Sequence, residues 1–400
     1  MSAPRITVPG PDPGPAFSLV GGGPFHRLLG WLGLCDGELG QVVRRCAVLA
    51  ALAWAPLLLL SAMDGRAWGG TVLPFLHDVD MALRLLVALP LMFAAEWLVH
   101  QRFPQAIRRF SERGLVSPDQ EAAFAAVLDK ARRAASSPRL ELAVLVLVYA
   151  VGFFGVWRNV SDLGVDTWYV SVQDGVRTPR PAGLWLALVS LPLFQFVLLR
   201  WYLRIAVWWW LLWRLSRLPL RLQPLHPDRA GGLGFLSQLA LAFSPLLMAQ
   251  GTMAAAWIAN RIFVHGAQLP QYRLDLLAAA AVTVLMVLGP LAFFAPMLSE
   301  AKRAGLARYG LLSSRYARDF ESRWLRGPAP GDDTPLGSGD IQSLADLGNA
   351  YATLGQMRAL PFGTRTALQL GVAMAAPVAP LLLTMVSVDE LVRRVIQFLL

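Results

Sequence analysis

Seven apolar runs, each about as long as a bilayer is thick, constrain this chain more than any other feature. They lie at 45–63, 81–99, 140–157, 183–205, 236–260, 274–297 and 366–387. A spanning helix needs roughly 20 mainly apolar residues, since the hydrocarbon core is about 30 Å thick and each residue rises about 1.5 Å. In lipid every backbone N–H and C=O must be satisfied within the protein, so only helices and closed barrels cross. These runs are solid rather than alternating. The expected fold is therefore all-α: a polytopic transmembrane helical bundle of about seven spans, with short amphipathic cytoplasmic helices. With 56% hydrophobic and 16% charged residues, the connectors hold no large separate core.

The charge distribution sets an orientation. With a cytoplasmic N-terminus, the inside segments 1–45, 100–139, 200–235 and 298–365 hold 27 of the 36 Lys and Arg residues. The outside loops hold only Arg66, Arg158, Arg177, Arg180, Arg261 and Arg273. That is the positive-inside asymmetry. The net charge of +10 then reflects topology and attraction to anionic lipid headgroups, and a nucleic-acid partner is not expected. The expected partners are the lipid bilayer, its anionic headgroups and a second copy of the chain. Cys35 and Cys46 fall on the reducing side and have no metal-ligand spacing.

Residues 1–24 are rich in Pro and Gly, lack the apolar core of a signal peptide, and read as a disordered tail. Residues 25–44 form an interfacial segment. Three hairpins follow: 45–99, 140–213 with a Trp- and Arg-rich inner end, and 236–297. Between them lie a cytoplasmic helical segment, 100–139, and a cytoplasmic loop, 214–235. Residues 298–365 hold further cytoplasmic helices around a flexible linker at 327–339, and the seventh span is 366–387. Residues 388–400 form an amphipathic tail. Ser117, Pro118 and Gln120 have the spacing of a helix start, followed by a stripe of Phe124, Val127, Leu128 and Ala131. Asp340 caps a second helix carrying Ile341, Leu344, Tyr351 and Leu354.

Six of the runs contain proline: Pro56, Pro90, Pro192, Pro245, Pro290 and the pair Pro377 and Pro380. Each removes a hydrogen bond and frees the carbonyl four residues earlier. Broken helices expose backbone groups to cargo in many transporters, although proline also serves as a packing kink. Arg84 and Glu96 sit in the second run, about 18 Å apart along a helix, and do not pair. Glu96 is a candidate proton or cation site, and snorkelling is the alternative for both residues. Arg200 and Arg204 are one turn apart at the inner end of the fourth run. They read either as an anion-attracting vestibule or as snorkelling groups beside an interfacial belt of Trp201, Trp208, Trp209, Trp210 and Trp213. Their spacing excludes a voltage sensor.

Residues 222–236 read LQPLHPDRAGGLGFL. Gly231, Gly232 and Gly234 precede a helix N-terminus, where free N–H groups attract an anion. Arg229 would add a bidentate donor for phosphate or carboxylate. The alternative is a tight turn capped by His226 or Asp228. The tripeptide His226-Pro227-Asp228 also occurs in J-domain co-chaperones, but the flanking spans leave no room for that domain. No catalytic signature, metal site or cofactor motif is present, which weighs against an enzyme.

The segments LHPDRAGGLGFL (225–236), RYARDFESRWLRG (315–327) and GSGDIQSLADLGNAY (337–351) resemble those of a family of bacterial multi-pass membrane proteins. The resemblance covers most of the chain beyond the tail. It implies a bacterial inner-membrane location and brings no activity, ligand or catalytic residue with it. The reading that follows is a channel or transporter-like protein, with an anion as the favoured cargo. A membrane scaffold or sensor that binds a cytoplasmic partner comes next, and a lipid-acting enzyme third.

Overall fold

The computed structural model describes residues 19–33, 39–150, 166–173, 176–326 and 339–385. In chain order its helices are α1 (Pro24–Trp31), α2 (Leu39–Met63), α3 (Val79–Glu112), α4 (Glu121–Ala135), α5 (Pro138–Leu147), α6 (Pro181–Leu215), α7 (Phe235–Phe263), α8 (Leu269–Trp324), α9 (Gly339–Gly355) and α10 (Thr364–Met385). Six of them, α2, α3, α6, α7, α8 and α10, are long and apolar enough to cross a membrane. The third expected run starts as α5, behind Pro138 at its first position, and its residues 151–157 lie outside the described part. The chain is an all-α bundle of membrane-spanning type, as its apolar runs require.

Helix α7 is the centre of the bundle. In its most apolar stretch 61% of residues are buried, against 22% in α8 and α10, and it packs on α3, α8 and α10. Its contact with α10 is a backbone approach: a Cβ at Gly251 would overlap the carbonyl of Met374. Small residues permit such crossings in membranes, where no hydrophobic force drives helices together. Gly251→Val is therefore expected to cost about 1–3 kcal/mol by overpacking, read as a lower unfolding temperature in detergent.

The prolines do break the helices. Segments of π-helix, Arg84–Ala88 and Leu186–Ser190, lie just ahead of Pro90 and Pro192. Helix α7 turns 3-10 at Leu241–Phe243, just ahead of Pro245. The 3-10 stretch Gly289–Phe294 contains Pro290, and Ala376–Met385 contains Pro377 and Pro380. Pro56, by contrast, sits within continuous α-helix, as does Pro104 beyond the apolar run of α3. Two of the freed carbonyls are taken by neighbouring helices. The Tyr149 hydroxyl donates to Leu188 O at 3.1 Å, and Trp209 Nε1 donates to Met286 O at 2.8 Å. Trp208 Nε1 bonds the adjacent Val287 O at 3.2 Å. An interfacial belt therefore does not describe all of these tryptophans. Trp201 and Trp208 are buried, and both use their indole N–H to latch one helix to another. Buried indoles need such a partner, and broken helices supply it.

Away from the spans, α4 forms but without the expected cap. Ser117 makes no capping bond to the backbone, and Pro118–Gln120 is a 3-10 turn ahead of Glu121. The apolar stripe behaves as expected, with Phe124, Val127 and Ala131 buried where α4 packs on α6. Helix α8 runs on past its apolar part, and α9 packs along it. The Trp324 indole N–H donates to Asp340 Oδ2 at 3.0 Å, and the Tyr316 hydroxyl donates to Asp340 O at 3.1 Å. Opposite the arginine-rich end, Val170–Gln173 and Val176–Pro179 pair as an antiparallel hairpin, where only a loop was expected. Arg180 pins it to Asp64 at 2.6 Å and to Asp166 at 2.9 Å.

The disordered-tail reading fails at its end. Leu19 and Val20 are buried, and residues 19–23 fold against the bundle ahead of α1. Residues 1–18, Cys35, most of the 327–339 linker and the 388–400 segment lie outside the described residues.

Candidate functional site

Glu96 and the pair Arg200 and Arg204, which the sequence presents as separate features, meet in one buried cluster. Arg204 Nη1 donates to Glu96 Oε1. Arg200 Nη1 lies 3.8 Å from the same oxygen, and Arg45 Nη2 is 3.0 Å from Glu96 Oε2. Arg200 Nε is 3.0 Å from Glu141 Oε1. All five side chains are at most 8% exposed. They come from α2, α3, α5 and α6, so one cluster ties four helices at the arginine-rich end of the bundle. Snorkelling does not describe Glu96, Arg200 or Arg204. Arg84, by contrast, pairs locally with Asp80 at 2.8 Å.

Aromatic faces complete the surroundings. Guanidinium carbons lie 4.8 Å (Arg45 over Phe93), 5.0 Å (Arg200 over Phe25) and 5.1 Å (Arg204 over Trp201) from the ring centroids. Such contacts favour a cation where water is scarce. The N-terminal segment closes the cluster. Arg200 Nη2 and Arg204 Nη2 reach Gly22 O and Val20 O, both at 3.5 Å, and the Phe25 N–H donates to Glu141 Oε2 at 3.0 Å. Sequence reasoning missed Arg45, Glu141 and the closing segment. Its available signal was that Arg45 and Glu141 are charges at the inner ends of apolar runs, as Glu96 and Arg200 are.

The glycine turn is a second, separate arrangement. Asp228 Oδ1 accepts from the N–H groups of Ala230 (2.9 Å) and Gly232 (3.1 Å), and Oδ2 accepts from Gly234 N–H (2.9 Å) and Arg113 Nη1 (3.1 Å). The donors expected to cradle an external anion thus hold the loop's own carboxylate. Gly231 and Gly232 adopt positive φ, as the turn requires. Arg229 also has positive φ, 54°, and its side chain is exposed. Its backbone carbonyl accepts from Arg358 N–H at 2.8 Å, which ties the turn to the segment after α9.

Burial pushes the Asp228 carboxyl up, but the N–H groups of Ala230, Gly234 and Gly232 outweigh it and leave its pKa below the usual value. A depressed carboxylate pKa contributes stability that is complete above the unfolded value of about 4 and is lost as pH falls through the lower folded value. Acidification below about pH 4 is therefore expected to loosen this turn, an acid step that Asp228→Asn abolishes. Fluorescence of the purified protein against pH checks it.

Among the described residues no three His, Cys, Asp or Glu side chains come together as metal ligands. Fold and cluster together define a polytopic helical bundle with a five-membered ion network inside four of its helices. Compared with family models, curated proteins and solved structures, the chain matches none.

Proposed function

We propose that this is a channel or transporter-like protein of a bacterial inner membrane that moves an anion, with its arginine-rich end cytoplasmic. The ion cluster carries the reading. Three guanidinium and two carboxylate groups inside apolar helices are costly to desolvate, and ionisable groups within membrane helices mark pathways for ions and substrates. Well-packed apolar residues would hold four helices together without that cost. The cluster's place at one end, covered by residues 19–25, is the layout of a gate. Changes of helical type beside the prolines in α3 and α6 support it, because they supply points at which those helices can bend.

Purified protein in liposomes tests this. Acetate or chloride flux above that of empty vesicles is expected, with potassium at background. Background rates for all three ions overturn the transport reading. The arm of α8 and α9 then favours a scaffold, since Leu311, Leu312, Leu325, Ile341 and Tyr351 are exposed along it. The orientation has its own test. Cysteines placed at positions 120, 220 and 340 should label from the cytoplasm and one at 170 from outside. External labelling at 120 contradicts it.

A further inference from the structure

Among the described residues the cluster contains three arginines against two glutamates, all buried. One positive charge is left over in a medium that solvates it poorly. Arg45 Nε and Arg204 Nε are buried there without a hydrogen-bond partner among the described residues. Besides the Phe25 ring against Arg200, the segment at 19–25 offers these arginines two neutral carbonyl oxygens, from Val20 and Gly22, each at a long 3.5 Å. Its approach is also tight. Gly22 and Gly23 have φ of 108° and 92°, and a Cβ on Gly23 would collide with Glu141 Oε1.

We propose that the arginine cluster is a binding site for a monocarboxylate, whose two oxygens take the place now held by the carbonyls of Val20 and Gly22. A monoanion matches the single excess charge, whereas a dianion overshoots it. A planar carboxylate suits the guanidinium fork in a way that a spherical halide does not. The segment 19–25 is then a strap that gives way to the ligand. This names the substrate class of the transport reading and rests on it, but binding can be measured without flux.

The test uses the full chain in uncharged detergent, with unfolding temperature followed against sodium acetate, sodium hexanoate and sodium chloride at equal ionic strength. Both carboxylates are expected to raise the unfolding temperature and chloride is not. Saturation by hexanoate at concentrations more than tenfold lower marks an acyl-chain ligand, because each buried methylene adds to affinity. Equal concentrations mark a small acid. Arg45→Gln removes the excess charge and should weaken carboxylate binding at least about tenfold, because the bound anion then has no leftover positive charge to balance it in a poorly solvating medium. Gly23→Ala unseats the strap and should bind carboxylate several-fold more tightly, because the competing state is depopulated. If Arg45→Gln fails to fold, the Gly23→Ala comparison decides. Equal responses to acetate and chloride, or unchanged affinity in Gly23→Ala, overturn the proposal. Carboxylate binding without flux leaves the site standing and removes only the transport reading.

Discussion

Glu96→Gln is expected to destabilise the folded protein by about 3–5 kcal/mol, the cost of breaking a buried ion pair by removing one partner. Glu96 is the shared acceptor of Arg45, Arg200 and Arg204. An amide in its place keeps the shape and loses the charge, leaving three guanidinium groups against Glu141 alone. Chemical unfolding in detergent reads the loss. Adding Arg204→Gln to Glu96→Gln should recover part of it, since the double variant returns the excess buried charge from two to the single one of the wild type. A Glu96→Gln protein as stable as wild type would mean that the carboxylate is solvated and the cluster is not closed.

Asp228→Ala should have the second largest effect, about 2–4 kcal/mol. The substitution strips the acceptor from three backbone N–H groups and from Arg113. Leaving one buried donor unsatisfied costs about 1–3 kcal/mol, discounted here because the loop is only partly buried. Arg229→Ala should lie near zero, because its side chain is exposed, and Arg229→Gly should be slightly stabilising because glycine relieves the positive φ. That ordering separates the two accounts of the loop. If Arg229→Ala is the more damaging variant, the arginine carries the function and the carboxylate is incidental.

The apolar runs were legible because bilayer thickness fixes helix length, and no other backbone satisfies its hydrogen bonds in lipid. The breaks at Pro90, Pro192, Pro245 and Pro290 were legible for the same chemical reason, the missing N–H. What the breaks are used for was not. Whether a freed carbonyl faces cargo or a neighbouring tryptophan depends on how helices distant in sequence are packed. Here Trp209, 77 residues away, meets Met286. Glu96 and Arg204 each stood out as charges in apolar surroundings, but they are 108 residues apart, and helical periodicity relates only near neighbours. Arg45 and Glu141 escaped notice because a charge at the end of a span ordinarily snorkels. In the glycine turn the sequence supplied both candidates, an external anion and a capping Asp228. Local geometry favours the internal carboxylate, which needs no ligand concentration to be present.

The most direct measurement of the central claim, that these five charges act as one buried unit, is a double-mutant cycle of unfolding free energies on Glu96→Gln and Arg204→Gln. The cluster predicts a coupling of about 1–3 kcal/mol, the upper part of the range for residues sharing an ion-pair network. Additivity within about 0.5 kcal/mol, as seen for independent sites, would contradict it, and the gate built on the cluster with it.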